Sequence, residues 1–277
     1  MTLGHDSWHG ADYARHSSLQ AAMADEVLSR LVLRGDEQVL DVGCGDGRLS
    51  ARIAALLPTG TVLGVDASAD MVAFARSQFG AGEWPNLRFE VADARRLSWQ
   101  QRFDLLVSFN ALHWVPQQAE ALRGVRSALK PGGQAFLRLV TRSPLTSLEQ
   151  VAEAVRRDTH WAASFAGFTD PYLRLTAQEY RALAEGLGLH VLSCQTQDKR
   201  WDFGSEAAFF GFCNAGFGAW TQVLREDQRR AFVEEVMRRY LSGIEASFGE
   251  RFTFHFTQTD VVLAPVPVPV PPAAPAV

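Results

Sequence analysis

The sequence predicts an α/β fold with a doubly wound, mostly parallel sheet of seven strands. Two observations carry this prediction. Short apolar segments alternate with amphipathic ones over residues 35–140, and a glycine-rich turn follows the first of them. Strands that alternate with helices imply right-handed crossovers, and these place a parallel sheet between two helical layers.

Each strand of this segment is a short apolar stretch that ends in polar or glycine residues. The helices between them are "GRLSARIAALL", "SADMVAFARSQF" and "PQQAEALRGVRSALK". The regular alternation of strands and helices ends after residue 140. Beyond it, helices are expected at 145–157, 176–187 and 226–242. The predicted strands are 38–42, 61–66, 87–93, 103–109, 133–140, 189–203 and 251–264.

Four regions follow from these patterns. Residues 1–34 form a lid segment, whose helix at 17–33 has apolar residues spaced by four, with Glu26 and Arg30 facing elsewhere. Residues 35–140 form the core. Residues 141–264 complete the sheet and carry a helical cap, and the proline-rich residues 265–277 form a disordered tail. The apolar positions of the lid helix are Leu19, Met23, Val27 and Leu31.

The composition excludes several classes of protein. The 277 residues carry a net charge of −4, without the basic stripe that a nucleic-acid-binding protein needs. Cys44, Cys194 and Cys213 lack a paired spacing, which argues for a reducing compartment and against a zinc site. No signal peptide or membrane-spanning segment is visible. We therefore expect a cytoplasmic monomer or homodimer that acts on a small molecule.

Glycines and acidic residues follow the first three predicted strands. The first strand leads into Asp41-Val42-Gly43-Cys44-Gly45-Asp46-Gly47, the second ends in Asp66, and the third ends in Asp93. A glycine turn lets the backbone approach a ligand closely. A carboxylate at a strand end can accept the hydroxyls of a ribose or the amino group of an adenine. Because open α/β sheets bind ligands at this edge, the three features predict a nucleotide-like cofactor.

Five motifs together resemble those of class I S-adenosylmethionine (SAM) methyltransferases, which have a Rossmann-like fold. They are "VLDVGCGDGRLS", "VLGVDASADMV", "VADARRL", "FDLLVSFNALHWV" and "LKPGGQAFL". The resemblance implies that Asp66 binds the ribose hydroxyls, that Asp93 and Ala94 flank the adenine, and that Asn110 lies near the methionine amine through its backbone. The remaining residues it assigns to the cofactor are Asp41, Gly43, Cys44, Gly45, Ala67 and Met71.

Two short segments outside this core are similar to carboxyl methyltransferases. "YARHSSLQ" (13–20) resembles the N-terminal segment of plant salicylate, benzoate and theobromine carboxyl methyltransferases, and "LHWV" (112–115) resembles that of insect juvenile hormone acid methyltransferases. Trans-aconitate methyltransferases carry a related segment. The resemblance implies that Gln20 and Trp114 hold the acceptor carboxylate. It also implies that Tyr13 and Ser17 contact SAM.

The chemistry of a carboxylate acceptor suits neutral donors. A carboxylate is already ionised at pH 7 and needs no general base. Glutamine and tryptophan can each donate a hydrogen bond without neutralising the attacking charge. We therefore expect a metal-free, one-step methyl transfer to a small hydrophobic carboxylic acid, with no residue assigned to acid–base catalysis.

Other readings stay open on the sequence alone. Gln20 is also compatible with a solvated surface position and Trp114 with a core position. His113 is either a general base for a hydroxyl, nitrogen or carbon acceptor, or a spacer beside the substrate. A SAM-binding protein without catalysis is a third reading. A cluster of aromatic residues suits either a substrate cap or ordinary packing: Phe203, Phe209, Phe210, Phe212, Phe217 and Trp220.

Overall fold

The computed structural model describes residues 18–172 and 175–266 of the chain. The strands are β1 (Gln38–Val42), β2 (Thr61–Asp66), β3 (Leu87–Val91), β4 (Phe103–Phe109), β5 (Leu129–Val140), β6 (Leu189–Asp202) and β7 (Thr253–Pro265). The helices are α1 (Ser18–Leu28), α2 (Arg48–Ala55), α3 (Ala69–Gln78), α4 (Gln118–Ala128), α5 (Leu148–Val155), α6 (Ala177–Gly186), α7 (Glu206–Gly216), α8 (Gly218–Thr221) and α9 (Glu226–Phe248).

The strands form one seven-stranded sheet in the order β3-β2-β1-β4-β5-β7-β6. The first five strands pair in parallel, and β7 runs antiparallel to both β5 and β6. The α/β class and the seven mostly parallel strands are thus confirmed. β6 and β7, from the region after residue 140, join the same sheet as the core strands.

Apolar side chains on both faces of the sheet explain why β1 and β2 read as continuous apolar runs. Leu40, Val42 and Val65 pack in one buried cluster with α4 and α6, whereas Val39 and Val62 pack in another with α2 and α3. A strand covered on both faces has no solvent side, so its sequence does not alternate. Removing these apolar surfaces from water is the main stabilising contribution to the core.

The order of the strands reverses next to β1. The chain proceeds outward from β1 to β2 and β3, and then crosses to β4 on the other side of β1. The loops that leave β1 and β4 therefore diverge at the carboxyl edge and open a crevice between them. Ligands of open α/β sheets bind at such a switch point.

Two helices end more than one helical turn from the residue predicted. α1 ends at Leu28 rather than at residue 33, and a turn at residues 29–30 follows it. Beyond the turn, Leu31 and Leu33 pack against the core while Val32 is 96% exposed. α9 continues past residue 242 to Phe248 and ends at Gly249, whose φ of 66° is left-handed. Glycine is the residue that adopts this conformation most readily at a helix end.

The cap is a third apolar cluster, built mainly from α5, α7, α8 and α9. Phe209, Phe217 and Trp220 of the predicted aromatic group are almost fully buried in it, whereas Phe203, Phe210 and Phe212 pack at its margin. α1 joins the same cluster through Leu19 and Met23. None of the described helices is both long and apolar enough to cross a membrane.

Candidate active site

A cavity of about 340 Å³ lies at the carboxyl ends of the parallel strands, beneath the cap. Such a volume is typical of small-molecule sites. One half is formed by the loops after β1 to β4, where we predict the cofactor, and we name it the cofactor half. The other half is formed by β5, β7 and the cap around the Trp114 ring, where we predict the acceptor, and we name it the acceptor half. Of the predicted site residues, those on its wall are Gly43, Gly45, Asp66, Ala67, Met71, Asp93, Ala94, Asn110, His113 and Trp114.

The glycine loop after β1 needs glycine for two different reasons. Gly43, Gly45 and Gly47 have φ of 79°, 55° and 81°, which other residues seldom adopt. A Cβ at Gly43 would lie 2.1 Å from the Cβ of Ala111, whereas one at Gly45 would meet no atom within 4 Å. The loop is therefore packed tightly against the protein at Gly43 and open at Gly45, on the cavity wall.

Asp66 ends β2 and ties the glycine loop to the next helix. Its carboxylate accepts the Gly45 N–H at 3.0 Å and the Ser68 N–H at 2.9 Å. Ser68, not Asp66, caps α3, because its hydroxyl accepts the Met71 N–H at 3.3 Å. Asp66 thus lies beside the loop at the cavity, without the helix-capping role that an aspartate often has at such a position.

Asp93 follows β3. It lies on the cavity wall and, unlike Asp66, it also caps a helical turn. It caps the 3₁₀ turn Ala94–Arg96 by accepting the Arg95 N–H at 2.9 Å. It also pairs with the Arg95 guanidinium, whose Nε lies 2.9 Å from Oδ2, and this pairing raises the pKa of Arg95. Asp93 and Ala94 are held together at the edge of the cavity by this turn.

Asn110 lies where β4 ends and is one of the described non-glycine residues with positive φ, at 54°. Its backbone N–H donates to the Arg138 carbonyl at 2.9 Å, and its Nδ2 donates to Met23 Sδ at 3.7 Å. Its buried Oδ1 has no hydrogen-bond partner among the described residues. A strained residue with an unsatisfied buried acceptor is typical of a functional site.

Asp41 and Cys44 are absent from the cavity wall that the structure describes. Asp41 is buried beneath the loop and accepts the Ser50 hydroxyl at 2.6 Å, and burial raises its pKa to about 7. Cys44 packs into the core beside α2 and α3, where burial raises the pKa of its thiol. In this structure both residues support the loop from below.

His113 and Trp114 lie on a 3₁₀ turn, Leu112–Trp114, directly after β4. His113 is buried, its Nδ1 accepts the Val140 N–H at 3.2 Å, and burial lowers its pKa to about 3. The Trp114 ring packs edge-on against Tyr172 at 4.9 Å and Trp220 at 5.9 Å between centroids. The turn therefore presents a neutral histidine and an indole fixed between aromatic rings.

The structure describes only some residues of the predicted lid segment. Tyr13 and Ser17 lie outside the described residues, and Gln20 lies in α1 but its side chain is likewise outside the description. Leu19 and Met23 of the same helix line the cavity. α1 therefore forms part of the wall.

The acceptor half contains residues that were not predicted from the sequence to lie in the site. Phe254 and Phe256 lie two positions apart on β7, so alternation along this strand was a signal that they share a face. Tyr172 and Glu149 come from separate cap segments and had no such signal. The wall of this half includes Val140, Leu148, Glu149, Tyr172, Phe212, Cys213, Phe217, Phe254 and Phe256.

Comparison with known proteins agrees with this geometry. Residues 39–133 match the family described as a methyltransferase domain. The trans-aconitate 2-methyltransferase of Deinococcus radiodurans is 39% identical over 127 residues, which cover 46% of this chain and 47% of that protein. That of Escherichia coli (strain K12 / DH10B) is 27% identical over 241 residues, covering 87% and 90%. The chain thus spans about half the length of the first of these relatives.

Solved structures share the fold. Coclaurine N-methyltransferase, solved with N-methylheliamine and SAH, superimposes with a TM-score of 0.59 at 15% identity, over 88% of this chain and 70% of that one. Fold, site and matches together define the class: residues 39–133 form a methyltransferase domain of the class I, SAM-dependent type, for which SAM is the cofactor. Within that class the chain resembles the carboxyl methyltransferases, as its matches to trans-aconitate 2-methyltransferases indicate.

Proposed function

We propose that this enzyme methyl-esterifies a small, hydrophobic carboxylic acid. The observation that carries the proposal is the acceptor half of the cavity, where aromatic and aliphatic side chains surround Trp114. Such a wall excludes water and favours an apolar substrate body. The two trans-aconitate 2-methyltransferases supply the expectation that the acceptor atom is a carboxylate oxygen.

The polar groups of the cofactor half suit SAM. We assign the ribose to Asp66, the adenine to Asp93 and Ala94, and the methionine part to the open stretch of the loop at Gly45. The unsatisfied Oδ1 of Asn110 is an acceptor within the same half of the cavity. SAM supplies an electrophilic methyl group on a positively charged sulfur, which suits a wall with acidic residues.

The transfer needs positioning rather than acid–base chemistry. The acid enters as a carboxylate, one of its oxygens forms the new bond to the methyl carbon, and the bond from that carbon to sulfur breaks. The products are a methyl ester and S-adenosylhomocysteine, and no proton moves. We assign the orientation of the carboxylate to the Trp114 indole and the Gln20 amide, because neutral donors preserve its nucleophilicity.

The alternative with His113 as a general base is opposed by its surroundings. A base needs an accessible lone pair and a pKa near the working pH. The Nδ1 lone pair of His113 accepts the Val140 N–H, and burial lowers the pKa to about 3. The interpretation of His113 as a spacer beside the substrate is therefore the one we retain.

The charges on the wall favour an acid with one carboxylate. Arg95 is the cationic side chain among the described wall residues, and it pairs with Asp93 in the cofactor half. Glu149 adds a buried carboxyl to the acceptor half. A second or third carboxylate on the substrate would therefore enter without a described positive partner, at a cost in desolvation.

The test is a direct assay of purified enzyme with SAM. Octanoic acid, benzoic acid, trans-aconitic acid, octanol, phenol and octylamine serve as acceptors, and mass spectrometry detects methylated products. We expect methyl esters from the apolar monoacids, with trans-aconitate a poorer substrate. Methylation of octanol, phenol or octylamine with no ester from any acid would contradict the proposal.

A further inference from the structure

Five charged residues form a compact group beside the cavity, which we name the charge cluster: Glu26, Arg30, Arg138, Lys199 and Asp260. At its centre the Arg138 side chain is fully buried, and its Nε and Nη2 donate to the two Asp260 oxygens at 2.7 Å each. The pair joins β5 to β7. A bidentate pair of this kind fixes direction as well as distance.

The charge cluster extends from the sheet to α1 through several contacts. Arg138 donates to the Met23 carbonyl and to Glu26, both at 3.4 Å. Glu26 also accepts from Lys199 of β6 at 3.0 Å and from Arg30 at 2.9 Å. Arg30 in turn reaches Asp260 at 2.6 Å. Glu26 is thus the point where α1 meets charges from two strands.

Glu26 lies three residues after Met23 and seven after Leu19, so it shares a face of α1 with them, contrary to the prediction that it faces elsewhere. This face also borders the cavity. Leu19 and Met23 line its wall, and Met23 Sδ accepts from Asn110 at 3.7 Å. Met23 is therefore held between the charge cluster, through its carbonyl, and the cofactor half, through its sulfur. A displacement of α1 would move both the wall and the neighbour of Asn110.

Helix propensity alone is a weak means of holding α1. The helix has 11 residues, and isolated helices of that length are marginal in water. Ion pairs with buried members seldom add stability beyond what apolar residues of the same size would give, and in some proteins their role is to specify one arrangement. Burial raises the pKa of Glu26, yet Lys199, Arg138 and Arg30 outweigh it and hold the pKa below its usual value. Glu26 is therefore ionised at neutral pH.

We propose that the charge cluster is a positioning device that holds α1 against the cavity, with Glu26 as its positioning residue. Removing the Glu26 charge removes the ion pairs that Glu26 makes with Lys199 and Arg138, while Arg138 keeps its pair with Asp260 and its contact with the Met23 carbonyl. The sheet then stays intact, and the effect is confined to α1 and to the wall it forms. This inference depends on SAM binding and not on the identity of the acceptor.

The test compares Glu26→Gln with a matched control, Asp25→Asn. Asp25 is the preceding residue of the same helix and pairs with Arg52 at the surface, where it is 72% exposed. Calorimetry gives the dissociation constant for SAM, and hydrogen exchange gives the protection of residues 18–28, β1 and β4. Hydrogen bonds to charged groups change an equilibrium roughly ten- to a hundredfold, whereas exposed ion pairs change it about fivefold at most.

For Glu26→Gln we expect SAM affinity about tenfold weaker and faster exchange in residues 18–28, with β1 and β4 as protected as in the wild type. Asp25→Asn should match the wild type within about fivefold. Unchanged SAM affinity and exchange in Glu26→Gln would overturn the proposal. Faster exchange throughout the sheet would also overturn it, because it would show a global structural role. An equal effect of Asp25→Asn would overturn it as well.

Discussion

Gly45→Ala should impair SAM binding while leaving the fold nearly intact. Gly45 has a φ of 55°, and a Cβ there would meet no protein atom within 4 Å. The new methyl group therefore projects into open space at the cavity wall, where we place the methionine part of SAM. The same change at Gly132, with φ of 80° and also no atom within 4 Å, has the backbone cost without the cavity.

The magnitudes separate the two effects. A non-glycine residue in the left-handed region costs about 1–2 kcal/mol, and the loss of chain entropy in the unfolded state offsets about 0.4–1 kcal/mol of it. Both variants should therefore lose about 1 kcal/mol of unfolding free energy. A methyl group forced into an otherwise filled site costs a further 1–3 kcal/mol or so, which is roughly a 5- to 150-fold loss of SAM affinity for Gly45→Ala alone.

Urea unfolding and calorimetry of SAM binding measure these two quantities. The expected result is similar unfolding midpoints for Gly45→Ala and Gly132→Ala, with wild-type SAM affinity only in the latter. Wild-type affinity in Gly45→Ala would refute the placement of the cofactor along the loop. Gly43→Ala provides a contrast, because its Cβ would overlap Ala111 and should destabilise the fold itself.

Asp66→Asn should weaken SAM binding roughly ten- to a hundredfold by calorimetry, since a charged acceptor is lost; equal affinity would remove the ribose assignment. The methyl-transfer rate at saturating substrates should be nearly constant from about pH 6 to 8, because the acceptor is already ionised and no base titrates there; a rise that His113→Gln abolishes would favour the rival base mechanism. Because the pKa of His113 is lowered from 6.5 to about 3, its contribution to stability is complete above about pH 6.5 and is lost as the pH falls towards 3; urea unfolding at pH 4 and 8 should show a smaller difference in His113→Gln. Gln20→Ala and Trp114→Phe should each lower kcat/KM for the acid roughly ten- to a hundredfold; the double variant should lose less than the sum, and additive losses would indicate that the two donors do not share one carboxylate.

Most of the core could be predicted because its signals are local. Each of these signals can be recognised within about a dozen residues. They are the apolar runs of β1 and β2, the glycines after β1 and the carboxylates at the strand ends. Their convergence follows from topology, since parallel strands bring their carboxyl ends to one edge of the sheet. The places of Asp66, Asp93 and Asn110 on one cavity wall are therefore results that the sequence could anticipate.

The sequence did not indicate which side chains of these motifs reach the cavity and which are buried beneath it. Asp41 and Cys44 belong to the same motif as Gly43 and Gly45, yet their side chains point below the loop, because successive residues of a strand and its turn face different sides. His113 illustrates the same limit. Its sequence position suited a base, and only the backbone N–H of Val140, from the neighbouring strand β5, decides that its lone pair is occupied.

By itself, then, the sequence determined the class of fold and the edge of the sheet where chemistry occurs, because these depend on short-range patterns of polarity and glycine. Its resemblance to SAM methyltransferases indicated the cofactor. The tertiary structure decided what closes the cavity. Arg138 and Asp260 are 122 residues apart in the chain, and Glu26 is a further 112 residues from Arg138, so no periodicity connects them. They meet because β7 pairs with β5 and because α1 contacts the Arg138 side chain, which is a consequence of folding the whole chain and not of any segment within it.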